Sequence, residues 1–314
     1  MTVIHNITNY TSKKPSILTI GTFDGVHLGH QKIIQTLVAK AREKKYVANV
    51  LTFFPHPRKV LQKGNNLFLI DTLIEKEQFL KKLGIDHLII HPFTPEFSKL
   101  SSLEFTRDIL VEKLNISTLY IGYDHRFGHN REASVDDLID MGKIYGFEVE
   151  VIPAQTVDEV TVSSTKIRSA ITAGDFEKVN QYLGRYFEFS ASVIHGDQLG
   201  RTLDFPTANL AVAETYKILP PKGVYLVKVI FKGKPLFGMM NVGNRPTLKG
   251  KHLTLEVHIF SFNQTIYGEE LTVYVLEKIR EEKKFESLVD LQTQLYLDQE
   301  LCNKILHRKG LNKN

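Results

Sequence analysis

The sequence predicts two regions of different fold class: an α/β region built on a parallel sheet, then an all-β region forming a small antiparallel β-barrel with a closing helix. Three observations lead there. Between Ile17 and Ile152, short apolar runs alternate with amphipathic helical patterns, as in a parallel sheet covered on both faces. After Gly184 the period shortens to alternating runs separated by Gly, Pro and Asn turns, as in a small barrel. From Ser287 to His307 an apolar stripe of Leu288, Leu291, Leu295, Ile305 and Leu306 returns at helical spacing. The boundary is expected near Gly184–Phe187, dividing the chain into residues 1–184 and 185–314 without a long linker.

The elements follow in order. Ile17–Ile20 is a short apolar strand after Lys13-Lys14-Pro15, and it runs into Gly21–Gln31, GTFDGVHLGHQ. Ile33, Ile34, Leu37, Val38 and Ala41 then mark a helix. Val47–Phe54 reads as a buried strand closed by Pro55-His56-Pro57. Asp71–Leu83 is a helix stopped by Gly84, and His87–Ile90 a short strand. Ser101–Leu114 is a helix opened by a capping box of Ser101 and Glu104. Thr118–Gly122 is a strand, Ser134–Tyr145 a helix, and Phe147–Ile152 a strand. The alternating runs of the second region are Phe187–Ile194, Gly223–Phe231, Leu236–Val242, Thr254–Phe260 and Leu271–Leu276.

With 314 residues the chain can hold two ordinary domains, and 42% hydrophobic against 24% charged residues is a globular composition. The single cysteine, Cys302, excludes an intrachain disulfide and fits a reducing compartment. No run approaches the ~20 apolar residues of a spanning helix, and MTVIHNITNY lacks the basic-then-apolar order of a secretory leader. A cytoplasmic protein without a membrane partner is therefore expected. Lys+Arg of 40 against Asp+Glu of 35 suits anionic small molecules. The basic residues are scattered, which argues against a nucleic-acid partner. Self-association is left open.

Chemistry-bearing residues collect just after strands, where ligands of parallel sheets bind. In GTFDGVHLGHQ, Gly25 and Gly29 let backbone approach a ligand, and the helix start presents free N–H groups to phosphate. His27 and His30 add donors to a phosphoryl oxygen. Phe53–Arg58, FFPHPR, is a rigid strand exit holding His56 and a phosphate-capable Arg58. Gly122–Arg131, GYDHRFGHNR, places Asp124, Arg126 and Arg131 near a glycine turn, with Tyr123 and Phe127 able to flank a flat ring. Val162–Arg168, VSSTKIR, enters a helix with Ser163, Ser164 and Thr165 as capping hydroxyls and Lys166 and Arg168 as cations. Neither G-x-x-x-x-G-K-[ST] nor G-x-G-x-x-G occurs.

In the second region, His195–Leu210 contains Gly196 and Gly200 for a phosphate-wrapping loop and Arg201 for charge. Thr207 and Asn209 lie two apart on an extended segment, so both oxygens face one side and suit a Mg²⁺ shell completed by phosphate and water. Glu256 shares a strand face with His258 and can take a proton from a substrate hydroxyl. Arg245 and Arg280 are read as loop-borne cations.

H-L-G-H after a strand, with S-S-T-K-I-R later in the chain, resembles the nucleotidylyltransferase superfamily. T-F-D-G-V-H-L-G-H together with G-R-T-L-D-F-P-T-A-N resembles the bacterial bifunctional riboflavin kinase/FAD synthetases. The resemblance implies a Rossmann-like adenylyltransferase region and a riboflavin kinase barrel. ATP would phosphorylate riboflavin to FMN and then adenylylate FMN to FAD, with Mg²⁺ as cofactor. It implies ATP contacts at Gly21, Phe23, Gly29, Asp124, Ser163, Ser164, Thr165 and Arg168, with His27 and His30 at the reaction centre. Flavin would meet Phe53, His56, Arg58, Tyr123, Arg126 and Phe127. In the barrel, Gly196, Gly200, Arg201, Thr207 and Asn209 would hold ATP, Thr207 and Asn209 also Mg²⁺, Glu256 would be the base, and Arg245 and Arg280 would meet flavin. Two positions depart from the family pattern: His125 where Phe is common, and Asp204 where Gly is usual. Asp204 alone motivates a narrower reading, an FMN adenylyltransferase whose barrel binds flavin for regulation.

Overall fold

A computed structural model describes the chain except residues 63–66, 123–125, 130–131, 155, 158–159, 197–199, 201–202, 248–249 and 312–314, and the side chains of 245–252. Two compact units form, Met1–Ser164 and Thr165–Asn314.

The first unit is built on six parallel strands: β1 (Thr2–His5), β2 (Ser16–Ile20), β3 (Val47–Phe53), β4 (His87–His91), β5 (Ile116–Gly122) and β6 (Glu148–Ile152), in the order β1-β4-β3-β2-β5-β6. The order reverses direction between β2 and β5, so their carboxyl ends flank the crevice that open α/β sheets use for ligands. Sequence reading missed β1, a four-residue edge strand whose pattern is too short to announce itself.

Alternate residues of each inner strand feed two different cores, as a doubly covered sheet requires. Val50, Leu88 and Ile90 pack with Ile34 of α1 (Leu28–Lys44) and with Phe79 and Leu80. The helix carrying Phe79 and Leu80 is Leu73–Lys82; it follows α2 (Pro57–Leu61) and is α3. On the other face Leu51, Ile89, Leu119 and Ile121 meet Phe105, Leu110 and Leu138. Phe105 and Leu110 belong to a π-helical run, Phe105–Lys113, that continues the single turn α4 (Ser102–Glu104). The expected Ser101–Glu104 capping box is present, with Glu104 N–H donating to Ser101 Oγ at 3.2 Å. Leu138 sits on α5 (Val135–Tyr145), which ends at Gly146 in the left-handed region. A two-residue hairpin, β7 (Thr156–Val157) and β8 (Val160–Thr161), precedes Ser164.

The second unit opens with α6 (Ser164–Ala173) and α7 (Phe176–Leu183). It then closes a barrel from β9 (Phe187–Ile194), β10 (Ala208–Ala211), β11 (Gly223–Phe231), β12 (Lys234–Thr247), β13 (Gly250–Ile259) and β14 (Glu270–Arg280). The barrel order is β10-β13-β12-β11-β14-β9, every pair antiparallel. β12 and β13 run longer than the sequence pattern suggests, because their pairing continues past the last alternating apolar residue to Thr247↔Gly250. The apolar lumen is filled from alternate positions such as Phe187, Phe189, Tyr225, Val227 and Val257. Asn180 of α7 holds the barrel: its amide donates to the carbonyls of Val275 and Leu276 at 3.0 and 3.2 Å and accepts from Phe187 N–H at 2.7 Å.

Helix α8 (Leu288–Arg308) covers one outer face of the barrel, with Cys302, Ile305 and Leu306 on Val224, Leu226, Met239 and Leu276. Burial pushes the Cys302 thiol up to about 12, so it is an inert core residue. Leu288, placed in the apolar stripe by its spacing, is exposed: the helix meets the barrel only from Leu291 onward. The middle of that buried stripe is instead a charge, Asp298.

Gly142 on α5 tests the packing of the first unit. A Cβ there would lie 2.5 Å from the backbone carbonyl of Phe147. Helix propensity alone favours Ala by about 1 kcal/mol. The clash reverses the sign, so Gly142→Ala should destabilise the unit by about 1–3 kcal/mol in chemical denaturation.

Candidate active sites

The turn after β2 is conformationally costly. Phe23, Gly25 and Val26 have φ of 45°, 88° and 36°, so two non-glycine residues, one of them β-branched, occupy the left-handed region. Such strain persists only where surroundings enforce it. Asp24, almost fully buried, accepts from Ile70 N–H at 2.8 Å and from Asp71 N–H at 3.4 Å. Ser164 Oγ donates to the Asp24 carbonyl at 2.8 Å, and the Lys76 ammonium to the Thr22 carbonyl at 2.7 Å. Gly21 and Gly29 leave room for the rings of Phe23 and His27, which an added Cβ would meet at 3.2 Å.

The turn delivers both histidines to the start of α1. His27 is the N-cap, its Nδ1 accepting from His30 N–H at 3.4 Å, which leaves Nε2–H as its donor. The two rings stack at 3.6 Å, and Phe23 meets His30 edge-on at 5.1 Å. His30 keeps some residue-level exposure, but its Nδ1 is sealed from solvent and has no hydrogen-bond partner among the described residues. Desolvation, then His27 and Lys76, hold its imidazole well below the usual value. The site can therefore present a neutral His30 imidazole, the His27 ring and helix-start N–H groups to phosphate.

The other expected residues of this unit divide. Ser164 begins α6 and is tied to the turn; Ser163 precedes it, partly buried. Within the second unit Thr165 is exposed, Ile167 buried and Arg168 partly buried. His56 proves to be the N-cap of α2, accepting from Arg58 N–H at 3.1 Å, and the Arg58 side chain is exposed. Arg126 is exposed. Phe127, read as a ring flanking a ligand, is buried against Phe105, because its backbone bridges to Ala133 and turns it inward. Tyr123 and Asp124, with His125 and Arg131, lie outside the described residues. Sequence reading missed the buried trio Asp24, Asp71 and Lys76, since charges dispersed over 53 positions have no linear signature. It also missed the aromatic wall of Phe53, Phe93 and Phe97 at the strand exits, with ring centres 5.6–5.8 Å apart. A cavity of about 790 Å³ opens at the opposite, amino ends of the strands, beside Thr2, Val47 and His87, away from these residues.

In the barrel, register assembles the second site. Asn209 of β10 is directly opposite Glu256 of β13, and Glu256 directly opposite Asn241 of β12. Direct partners in antiparallel strands share a face, so the three side chains form one polar row on the outer wall. Gly196 lies against Asn209 of that row, and Gly200 against the neighbouring Phe205–Thr207 segment. A Cβ on Gly196 would sit 2.0 Å from Asn209 Nδ2, and one on Gly200 would sit 2.2 Å from the Phe205 carbonyl and 3.4 Å from Thr207 Oγ1. Only glycine allows either approach. His258 Nδ1–H donates to the Pro206 carbonyl at 2.8 Å, fixing the F-P-T-A-N segment to β13. Burial lowers the His258 imidazole, with the Pro206 bond opposing. Asp204 has φ of 62°, the left-handed conformation a glycine would take most easily, and one that Asp tolerates. Two neutral side-chain oxygens beside a glycine cradle fit a hard cation shared with phosphate and water. Among the described residues no cluster of three His, Cys, Asp or Glu could hold a metal alone.

The expected loop arginines are corrected. Arg245 falls within β12, its side chain outside the described set, and Arg280 is the last residue of β14. The Arg280 guanidinium is committed to Asp298 of α8, with contacts of 2.8–3.0 Å, and Gln294 donates to the same carboxylate at 2.9 Å. Its sequence neighbours look loop-like, but the ladder with β11 continues to Val224↔Arg280. Arg201 lies outside the described residues.

Comparison with known proteins finds two families along the chain. Residues 9–166 match the FAD synthetase family and residues 183–306 the riboflavin kinase family. The chain is 36% identical over 297 residues to the bifunctional riboflavin kinase/FMN adenylyltransferase of Escherichia coli (strain K12), covering 94% of each. It is 39% identical over 284 residues to the enzyme so named from Haemophilus influenzae, covering 90% of this chain and 92% of that one. A crystal structure described as a macrolide-efflux protein from Streptococcus pneumoniae superposes with a TM-score of 0.90 at 31% identity, over 96% of this chain and 99% of that one. Among the described residues of this chain no helix is long and apolar enough to cross a membrane.

Breaking the Arg280–Asp298 pair isolates its contribution. Asp298 is 2% exposed, so Asp298→Ala leaves the guanidinium without its buried partner. The expected cost is about 3 kcal/mol in unfolding of the barrel unit, with faster hydrogen exchange along α8.

Proposed function

The chain belongs to the bifunctional riboflavin kinase/FMN adenylyltransferase family, and from that premise we propose how its residues divide the two reactions. The enzyme phosphorylates riboflavin to FMN with ATP and transfers AMP from ATP to FMN, giving FAD and pyrophosphate. The narrower reading without kinase activity is not retained, because the riboflavin kinase family matches residues 183–306. We assign residues 1–184 to adenylyl transfer and 185–314 to the kinase.

In adenylyl transfer an FMN phosphate oxygen attacks the α-phosphorus and pyrophosphate leaves. The nucleophile is already an anion, so the protein supplies alignment and charge stabilisation rather than a base. Backbone N–H groups at the start of α1, with the His27 and His30 imidazoles, take the phosphoryl oxygens. Gly21, Phe23 and Gly29 shape that turn, and Ser163, Ser164, Thr165 and Arg168, with Asp124, complete the ATP contacts. Phe53, His56, Arg58, Tyr123, Arg126 and Phe127 form the flavin side, Phe127 and His56 acting by holding that wall in place.

In the kinase, Glu256 takes the proton of the ribityl hydroxyl, whose oxygen attacks the γ-phosphorus, and ADP leaves. The observation that supports this best is the register that sets Glu256 opposite Asn209, with Gly196 packed against that asparagine. Thr207 and Asn209 would hold Mg²⁺, which when bound neutralises phosphate charge. Arg201 adds charge to the loop. Arg245 orients flavin, whereas Arg280 acts by fixing α8. The reading places the enzyme in the cytoplasm, acting on small molecules, with neither nucleic acid nor membrane as partner.

Cross-assay separates the halves. His30→Ala should lower FAD formation from supplied FMN about 100-fold and leave FMN formation from riboflavin unchanged. Glu256→Gln should do the reverse. Loss of both reactions in either folded variant would refute the division. Chelating divalent cations should abolish FMN formation, and adding Mg²⁺ should restore it.

A further inference from the structure

We propose that Lys76 is a positioning residue for adenylyl transfer: its buried ammonium locks the left-handed turn that carries His27 and His30. The inference rests on the assignment of adenylyl transfer to this turn.

Three observations carry it. Lys76 lies on α3, one turn past the N-cap Thr72 and directly after Glu75 of the capping box, and is only 4% exposed. Its Nζ donates to the Thr22 carbonyl at 2.7 Å, the oxygen immediately before the strained Phe23–Val26 turn. The other contact at that oxygen is a longer one, Thr52 Oγ1 at 3.3 Å. The ammonium is thus the short tether on the side of the turn that faces α3. A buried ammonium needs compensating charge. Asp24 of the turn and Asp71 ahead of α3 favour its charged form against desolvation. The Asp24 carboxylate is itself held by the backbone, through the N–H groups of Ile70 and Asp71.

The same charge acts on His30. The titratable groups that act on His30 are His27, stacked on it, and Lys76 from α3, while Asp24 and Asp71 act in turn on Lys76. Protonating His30 would put an N–H at the sealed Nδ1, which has no acceptor among the described residues, beside a fixed cation. A neutral His30 imidazole can meet a triphosphate as an oriented donor through its Nε2–H. The sign follows: the charge of Lys76 opposes protonation, so removing it raises the His30 value toward the ordinary 6.5.

The test uses the full-length enzyme, whose kinase reaction reports folding in the same sample. In the wild type, NMR titration of His30 should give a value below 6.5, and FAD formation from FMN should keep its acidic limb below that pH. Lys76→Met should lower FAD formation about 100-fold, leave FMN formation unchanged, and move both the His30 titration and the acidic limb upward. Lys76→Arg, which keeps the charge, should hold the His30 titration near wild type. A wild-type His30 titrating at or above 6.5 overturns the proposal without any variant. So does a Lys76→Met enzyme with full FAD formation, or one whose rate falls at every pH with the limb unmoved. Wild type that makes FMN yet no FAD refutes the function assigned to the turn instead.

Discussion

A backbone turn that the residues themselves disfavour is the constraint on which the first unit depends. Phe23 and Val26 stand in left-handed conformations that cost side chains of their kind roughly 1–2 kcal/mol each. Without that turn the chain leaves β2 in the wrong direction, and His27 no longer reaches the N-cap of α1. The surroundings that hold it are polar and buried: Asp24, Lys76, Thr52 and the Ser164 hydroxyl. Strain at one point is offset by hydrogen bonds from strands and helices far apart in sequence. The N–H groups at the start of α1 and two imidazoles are thereby held in place by the fold itself, which lowers the ordering cost of the phosphate binding proposed for them.

The barrel solves a similar problem by register. Its lumen is filled by apolar side chains, so its chemistry has to lie on the outer wall. Slipping β10 by one residue against β13 would turn Asn209 inward and separate it from Glu256. Leu210 in the lumen and the His258–Pro206 hydrogen bond oppose that slip. Gly196 can approach Asn209, and Gly200 the Phe205 carbonyl, only because neither has a side chain there. Helix α8 is anchored nearby through Arg280 and Asp298, and Gln292 donates to the Leu203 carbonyl at 3.2 Å, so the loop and the helix are fastened together.

Beside each proposed site a histidine has its charge state set by enclosure. Burial depresses His30 and His258 alike. A histidine with a lowered native value leaves the folded state progressively less favoured as pH falls below the unfolded value near 6.5, until its own folded value is passed. Neutral imidazole is therefore the resting form in each site at neutral pH, one stacked on its neighbour and the other bonded to a carbonyl.

The residue pattern by itself determined the fold class, both sets of glycine turns, the Ser101–Glu104 cap and the face shared by Glu256 and His258, because periodicity and turn chemistry are local. It also singled out Asp204, whose positive φ the structure bears out. Tertiary structure alone decided the rest. It drew Arg280 from an expected loop into β14 and spent its charge on Asp298, it turned Phe127 into the core, and it made His56 a helix cap. It gathered Asp24, Asp71 and Lys76 around one turn. Each of these depends on which distant segment lies opposite, and a linear pattern of apolar and polar residues holds no information about partners across a fold.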